Sequence, residues 1–177
     1  MKIIFCLMLS TFIFAQKTFT LSSKDLGGEA TKTQEFDGHG CSGKNFSPQL
    51  SWKNEPRGTK SFAITMFDSD APTGSGFWHW VVFDIPSSTD KLVTNAGNAN
   101  LNLLPKEAIQ SITDYGIKGY GGPCPPKGNG IHQYTITIYA LDTKSLGLTE
   151  YTNPAVVGFN LWKHTLAKAS IVAYYKR

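Results

Sequence analysis

Cysteine is scarce in this chain: there are three among 177 residues, and no two stand close enough to make a C-x-x-C pair. That spacing excludes the usual cysteine zinc sites, which need close-set pairs. Also missing are the H-E-x-x-H helix of zinc proteases and the G-x-S-x-G elbow of serine hydrolases. Charge of one sign is nowhere concentrated. Lys and Arg total 17 against 13 Asp and Glu, a formal +4, and the lysines are scattered from Lys53 to Lys176 among acids. A nucleic-acid binder would gather its cations on one face, so no nucleic-acid partner is expected. Internal repeats and low-complexity linkers are absent too, and the length suits one domain with a full core.

Long apolar runs are lacking with one exception, the opening "MKIIFCLMLSTFIFA". It carries one lysine, an apolar stretch and Ala15 before Gln16, which together predict a secretory signal cut after Ala15. A buried N-terminal strand is the alternative. The run is too short to span a bilayer, and Cys6 lies too early to be a lipid-modified cysteine at the cut. The expectation is residues 1–15 as signal and 16–177 as one soluble domain, periplasmic or secreted, without stable membrane insertion. Once the signal is gone two cysteines remain, Cys41 and Cys124. In an oxidising compartment an even number predicts a disulfide, with two buried free thiols as the alternative.

Short apolar and β-branched runs separated by Gly, Pro, Asn and Ser clusters predict a mainly β fold. Candidate strands cover 17–23, 49–52, 60–68, 78–86, 133–142 and 170–176, and residues 87–131 form a long irregular region. One helix is expected in "NPAVVGFNLWKHTLAKA" (153–169), with Asn153 as N-cap and Pro154 at its first position. Val157, Leu161, His164 and Lys168 share one stripe, and Phe159, Trp162 and Leu166 fill another. His164 is taken as a packed or capping residue.

The stretch "GYGGPCPPKGNGIHQY" (119–134) is the densest in glycine and proline. It is no phosphate loop, because Pro123, Pro125 and Pro126 have no N–H to offer and Lys127 is followed by glycine. It is no metal knuckle, because Cys124 stands alone. A stiff loop that delivers His132 and Tyr134 to a fixed place is what remains. The strands' period of two completes the picture. One face reads Phe77, His79, Val81, Phe83, Ile85; another reads His132, Tyr134, Ile136, Ile138, Ala140; a third, Phe62, Ile64, Met66, runs out into Asp68 and Asp70. Apolar faces ending in ionisable residues predict the lip of a small-molecule pocket. Asp68 and Asp70 are expected to repel each other and so to hold one proton longer than usual, unless a histidine cation sits between them.

"DSDAP" (68–72), "WHWVVFDIP" (78–86) and "GGPCPPKGNGIHQY" (121–134), in this order, resemble the signature stretches of the phosphatidylethanolamine-binding protein family. "GHGCSGKNFSPQLSW" (38–52) and the helix segment resemble its bacterial Raf kinase inhibitor-like branch, and the resemblance runs from about Phe19 to about Tyr174. It implies a β-sandwich built on a large antiparallel sheet with a C-terminal helix. It also implies a cavity for phosphate-like anions or phospholipid head groups, formed by Asp68, Asp70, Ala71, Pro72, His79, Gly122, Pro125, Pro126, His132 and Tyr134. A cis Ala71–Pro72 bond, a homodimer and a regulatory role toward an unknown protein partner follow from the same resemblance, with no cofactor. Two departures stand out: Phe77 replaces the Trp of many eukaryotic members, and Gln133 replaces an Arg found after the pocket histidine. A hydrolase using the two carboxylates and two histidines is the competing reading. The missing nucleophile and metal motifs weigh against it, and no enzymatic activity is expected.

Overall fold

The computed structural model describes residues 17–177. The expected signal segment and its cut after Ala15 lie outside the described residues. The centre of the fold is a five-stranded antiparallel sheet, and its strands come from distant parts of the chain. They are β5 (Ser61–Asp68), β6 (Phe77–Pro86), β8 (Ile109–Gln110), β9 (Ile131–Leu141) and β10 (Thr165–Lys176), in the order β10-β9-β5-β6-β8. A small sheet of β1 (Thr20–Ser22), β4 (Leu50–Lys53) and β7 (Lys91–Leu92) packs on one face. A two-stranded hairpin, β2 (Asp37–Gly38) with β3 (Cys41–Ser42), lies apart. One helix, α1 (Pro154–His164), covers the other face of the large sheet.

Both faces of the central strands are therefore buried. Phe62, Ile64, Met66, Tyr134, Ile136 and Ile138 pack against Leu21, Leu50 and Trp52 of the small sheet. Ala63, Val81, Phe83 and Leu141 pack against Val157 and Leu161 of the helix. This explains why β5 reads as a continuous apolar run rather than an alternation. The expected strands all form, with ends shifted by a few residues, and the β9 stripe from His132 to Ala140 is buried as anticipated.

Strand β6 departs from simple alternation. Met66 pairs with Trp80 and Phe67 with Trp78, which leaves His79 as the extra residue of a β-bulge. Further along, Phe83 and Asp84 together oppose Ala63, and Asp84 takes a φ of 56°. Its carboxylate compensates locally, accepting from Ser145 Oγ at 2.6 Å and Leu146 N at 2.9 Å. The expected single stripe of Phe77, His79, Val81, Phe83 and Ile85 is broken as a result. Trp80, Val82 and Ile85 face the sandwich core, whereas Val81 and Phe83 meet the helix.

The helix is also shorter than expected. Asn153 caps it by accepting from Ala155 N at 2.9 Å, with Pro154 at its start, but it ends at His164. Leu, Ala and Lys at 166–169 are good helix formers, yet they pair with the edge of β9 from Thr165↔Leu141 onward. Backbone pairing along a whole strand outweighs local propensity there. His164 Nδ1 donates to Asp142 Oδ1 at 2.8 Å and pins the corner between helix and strand. The second expected apolar stripe is not a packing stripe: Phe159 is 55% exposed and Trp162 75%.

Candidate functional site

Three strands of the large sheet terminate at one place. β5 ends on Asp68, whose register partners are Phe77 at the start of β6 and Tyr134 near the start of β9. The antiparallel pairing thus brings "DSDAP", "FWH" and "IHQY" together from three separate stretches. Asp68, His79, His132 and Tyr134 are all buried.

Each polar group has a definite partner, with two exceptions. Asp68 Oδ1 accepts from Asp70 N at 2.9 Å, an Asx turn that starts the chain reversal. Asp68 Oδ2 accepts from His132 Nδ1 at 2.8 Å. His132 Nε2 lies 2.9 Å from Asn129 Oδ1, so both its ring nitrogens are engaged. His79 Nδ1 donates to the carbonyl oxygens of Gly121 at 2.8 Å and Gly122 at 3.1 Å. Its Nε2 is left without a hydrogen bond, 4.0 Å from Asp68 Oδ2. The hydroxyl of the fully buried Tyr134 makes no hydrogen bond of good geometry, although it lies close enough to Asp68 for that carboxylate to act on it.

The bulge at His79 is what gives it this place. Its ring stands edge-on to Tyr134 with centroids 5.0 Å apart, instead of lying under the helix with Val81. Bulges commonly re-aim one side chain beside a site.

The proline-rich loop closes the far side. Gly122 sits so close to the 34–36 backbone that an added Cβ would stand 1.8 Å from Gln34 O. Asn45 holds the loop with both ends of its amide, accepting from Gly122 N at 2.8 Å and donating to Tyr120 O at 3.1 Å. Tyr115 Oη donates to Gly122 O at 3.1 Å. Cys41 and Cys124 form a disulfide, S–S 2.05 Å with Cα atoms 6.0 Å apart, which ties β3 to this loop. Buried Glu35 stiffens the same hairpin through Lys32, the Ser42 N–H and Tyr175. Burial pushes its carboxyl up, but those hydrogen bonds outweigh burial and hold it below the ordinary range.

A cavity of about 320 Å³ opens between these walls. Of the residues expected there, Asp68, Ala71, Pro72, His79, Pro125, Pro126, His132 and Tyr134 line it. Asp70 does not. It is exposed, and its carboxylate accepts from Gln133 N at 2.7 Å. The two carboxylates therefore do not share the cavity, and it is His132 Nδ1 that hydrogen-bonds Asp68. Gly122 lies behind the wall and holds it through its carbonyl. Phe77, expected to affect the pocket's size, is a lining residue. Gln133 is not among them, and its side chain turns to Thr135 Oγ1 at 3.4 Å. No peptide bond among the described residues is cis, so Ala71–Pro72 is trans. The reversal is made instead by the Asx turn at Asp68 and by Gly74 and Gly76 at positive φ.

Sequence reasoning missed His39, Thr73, Asp114 and Tyr115 as lining residues, and placed Cys124 in the wall without giving it a face on the cavity. Tyr115 belongs to the irregular 87–131 region, where no period reports direction. Tertiary contacts place it: its ring stacks on Phe36, centroids 4.2 Å apart, and meets Phe77 edge-on at 4.7 Å, while its hydroxyl holds Gly122 O.

The electrostatics follow from burial. Desolvation lowers the His79 pKa from its ordinary value, and the Gly121 carbonyl and the Asp68 charge only partly oppose this. Burial first, then the Asp68 charge, pushes the Tyr134 phenol up. Burial raises Tyr115 in the same way. At neutral pH His79 is therefore neutral, and the phenols of Tyr134 and Tyr115 keep their protons. A larger groove of about 590 Å³ runs beside β8, between Leu103 and Lys118, but no histidine or buried carboxylate lines it.

This combination of sandwich, bulged histidine and proline-walled cavity agrees with sequence comparison. The profile described as "Phosphatidylethanolamine-binding protein" matches residues 27–176. The chain belongs to the phosphatidylethanolamine-binding protein family. It is 40% identical over 168 residues to the UPF0098 protein YbcL of Escherichia coli (strain K12), covering 94% of this chain and 92% of that protein. The YbhB protein of the same organism is 45% identical over 157 residues, 88% of this chain and 98% of YbhB. The crystal structure of E. coli YbcL, described as a member of the mammalian PEBP family, superposes with a TM-score of 0.88 at 41% identity. That match covers 92% of this chain and 99% of the other. The family's mainly β architecture, large antiparallel sheet and C-terminal helix are all present here.

Proposed function

We propose that this is an exported binding protein whose cavity takes a small phosphate-like or carboxylate-like group and modulates a protein partner in response. The observation that carries the reading is the convergence on one cavity of His79 with a free Nε2 and Tyr134 with an orphaned buried hydroxyl. Unpaired polar atoms beside a cavity of this size suit an oriented small ligand. Family membership supports ligand binding of this type. The cysteine pair supports export, since such bonds persist in oxidising compartments. Among the described residues no helix is long and apolar enough to cross a membrane.

Binding is favoured over hydrolysis because Ser69 and Ser75, the nearest serines in sequence, are exposed and neither lines the cavity. The test is calorimetric titration of the purified protein with phosphoethanolamine and acetate, beside the His79→Ala/His132→Ala variant. Binding by the native protein that vanishes in the variant supports the site; unchanged binding moves it elsewhere. Native mass spectrometry of the same sample reports a retained ligand and the expected homodimer, and its intact mass tests the cut after Ala15.

A further inference from the structure

Of the cavity's two unpaired groups, the Tyr134 hydroxyl can donate to an oxyanion, but the free nitrogen of His79 is the wrong kind for a fully ionised one. His79 Nδ1 faces two carbonyl oxygens, which only accept, so the ring proton must sit on Nδ1. In the neutral imidazole Nε2 is then an acceptor with no donor to meet it. Beside it, 4.0 Å away, Asp68 Oδ2 carries negative charge, and its proton-bearing partner His132 is committed to Asp68 and Asn129. Tyr115 Oη spends its proton on Gly122 O. A bare dianion placed here could accept from the Tyr134 hydroxyl but would also meet the His79 lone pair and a carboxylate.

We infer that the cavity selects its oxyanion in a protonated form, one that donates its own O–H to His79 Nε2 while its remaining oxygens accept from the protein. This rests on the anion-binding role proposed above and narrows it. The favoured class is the phosphomonoester monoanion or inorganic phosphate, both of which carry a titratable P–O–H. A phosphodiester, as in an intact phospholipid head group, and sulfate have no such proton near neutral pH and are rejected. Burial works in the same direction, keeping His79 neutral so that it stays an acceptor. The titratable and charged groups around His79 come from every wall. They are Asp68 on β5, His132 and Tyr134 on β9, Asp114 and Tyr115 on the 111–122 loop, and His39 on the β2–β3 turn. Arg177, hydrogen-bonded to Gly40 O, bears on this set through Tyr115. The negative groups nearest His79 Nε2 oppose a second negative charge on the ligand.

The test needs only the native protein. Affinities for methyl phosphate, dimethyl phosphate, sulfate and ethanolamine are compared by calorimetry at about pH 6, near the second pKa of a phosphomonoester. A site built to receive a donor rejects the analogue lacking it strongly, so methyl phosphate is expected to bind about a hundredfold or more tighter than sulfate or dimethyl phosphate. Above about pH 6 its Kd rises about tenfold per pH unit, with about one proton taken up per ligand when buffers of different ionisation enthalpy are compared. Sulfate or dimethyl phosphate binding as tightly as methyl phosphate overturns the inference and leaves the anion site standing. Ethanolamine binding while every oxyanion fails overturns both, and marks the acceptors as an ammonium site.

Discussion

Replacing Tyr134 by Phe removes one oxygen from the buried wall of the cavity and nothing else. The hydroxyl is buried beside the cavity and makes no hydrogen bond of good geometry to another protein group, so folding gives it no protein partner in exchange for water. An unsatisfied buried group of this kind costs about 1–3 kcal/mol. The ring itself is worth keeping. It stands edge-on to His79 at 5.0 Å and packs with Met66 and Ile136, and phenylalanine preserves these contacts. The expected result for ligand-free protein is therefore a gain of about 1–2 kcal/mol, or about 2–8 °C in Tm for a domain of this size. The same variant should lose part of the stabilisation that added methyl phosphate confers on the native protein, because a bound oxyanion gives the hydroxyl its acceptor. Thermal melts of dialysed native and variant protein, with and without ligand, measure both quantities. A variant that melts below the native protein without ligand refutes the assignment of an orphaned hydroxyl. One that gains stability but keeps its full ligand response shows that the hydroxyl does not serve the ligand.

The Cys41→Ser/Cys124→Ser variant loses a cross-link closing 83 residues, for which the chain-entropy relation gives about 4–5 kcal/mol as an upper figure. A denaturant midpoint lowered together with weaker phosphate binding is expected, since Cys124 also lines the cavity. Gly122→Ala drives a methyl group into Gln34 O and should cost about 3 kcal/mol in urea unfolding; a native-like midpoint refutes the close approach. His79 adds a pH dependence. Its folded pKa lies below the unfolded value of about 6.5, so the unfolded chain binds the extra proton first and stability, complete above about pH 6.5, falls by up to about 1.4 kcal/mol per pH unit as pH drops toward the folded pKa. Melts between about pH 8 and pH 5 should show this slope in the native protein and a flatter one in His79→Asn.

Most of the large sheet was legible because its strands announce themselves by length and β-branched content, as in "QYTITIYALD". The pocket was legible for a related reason: ionisable residues at the ends of apolar strands are costly to bury unless they meet one another or a ligand. What escaped was direction. Period-two reasoning assumes an unbroken ladder, and β6 breaks it twice, at His79 and at Phe83–Asp84. Each bulged residue meets tertiary partners that no local pattern reports, Gly121 and Gly122 for His79, Ser145 and Leu146 for Asp84. The helix end was missed for the opposite reason. "TLAKA" has strong helix propensity, and only the open edge of β9 makes it a strand. Tyr115 and His39 sit on turns, where neither period applies.

The bulge at His79 also explains how one histidine can be both buried and available. On an unbroken β6, residue 79 would share a face with Val81 and Phe83, under the helix and away from Asp68. The extra residue turns it to the opposite side, where Gly121 and Gly122 can take its Nδ1 proton. Those carbonyls are available because Gly122 approaches the 34–36 backbone more closely than any side chain would allow. Asn45 and the disulfide hold it there. The proline-rich loop therefore does more than wall the cavity: it sets the tautomer of the histidine opposite. A loop free to move would let His79 exchange Nδ1–H for Nε2–H, turning the cavity's acceptor into a donor and reversing which protonation state of a ligand it prefers. The scarce cysteines and the stiff prolines thus act on the cavity through the position of a single proton.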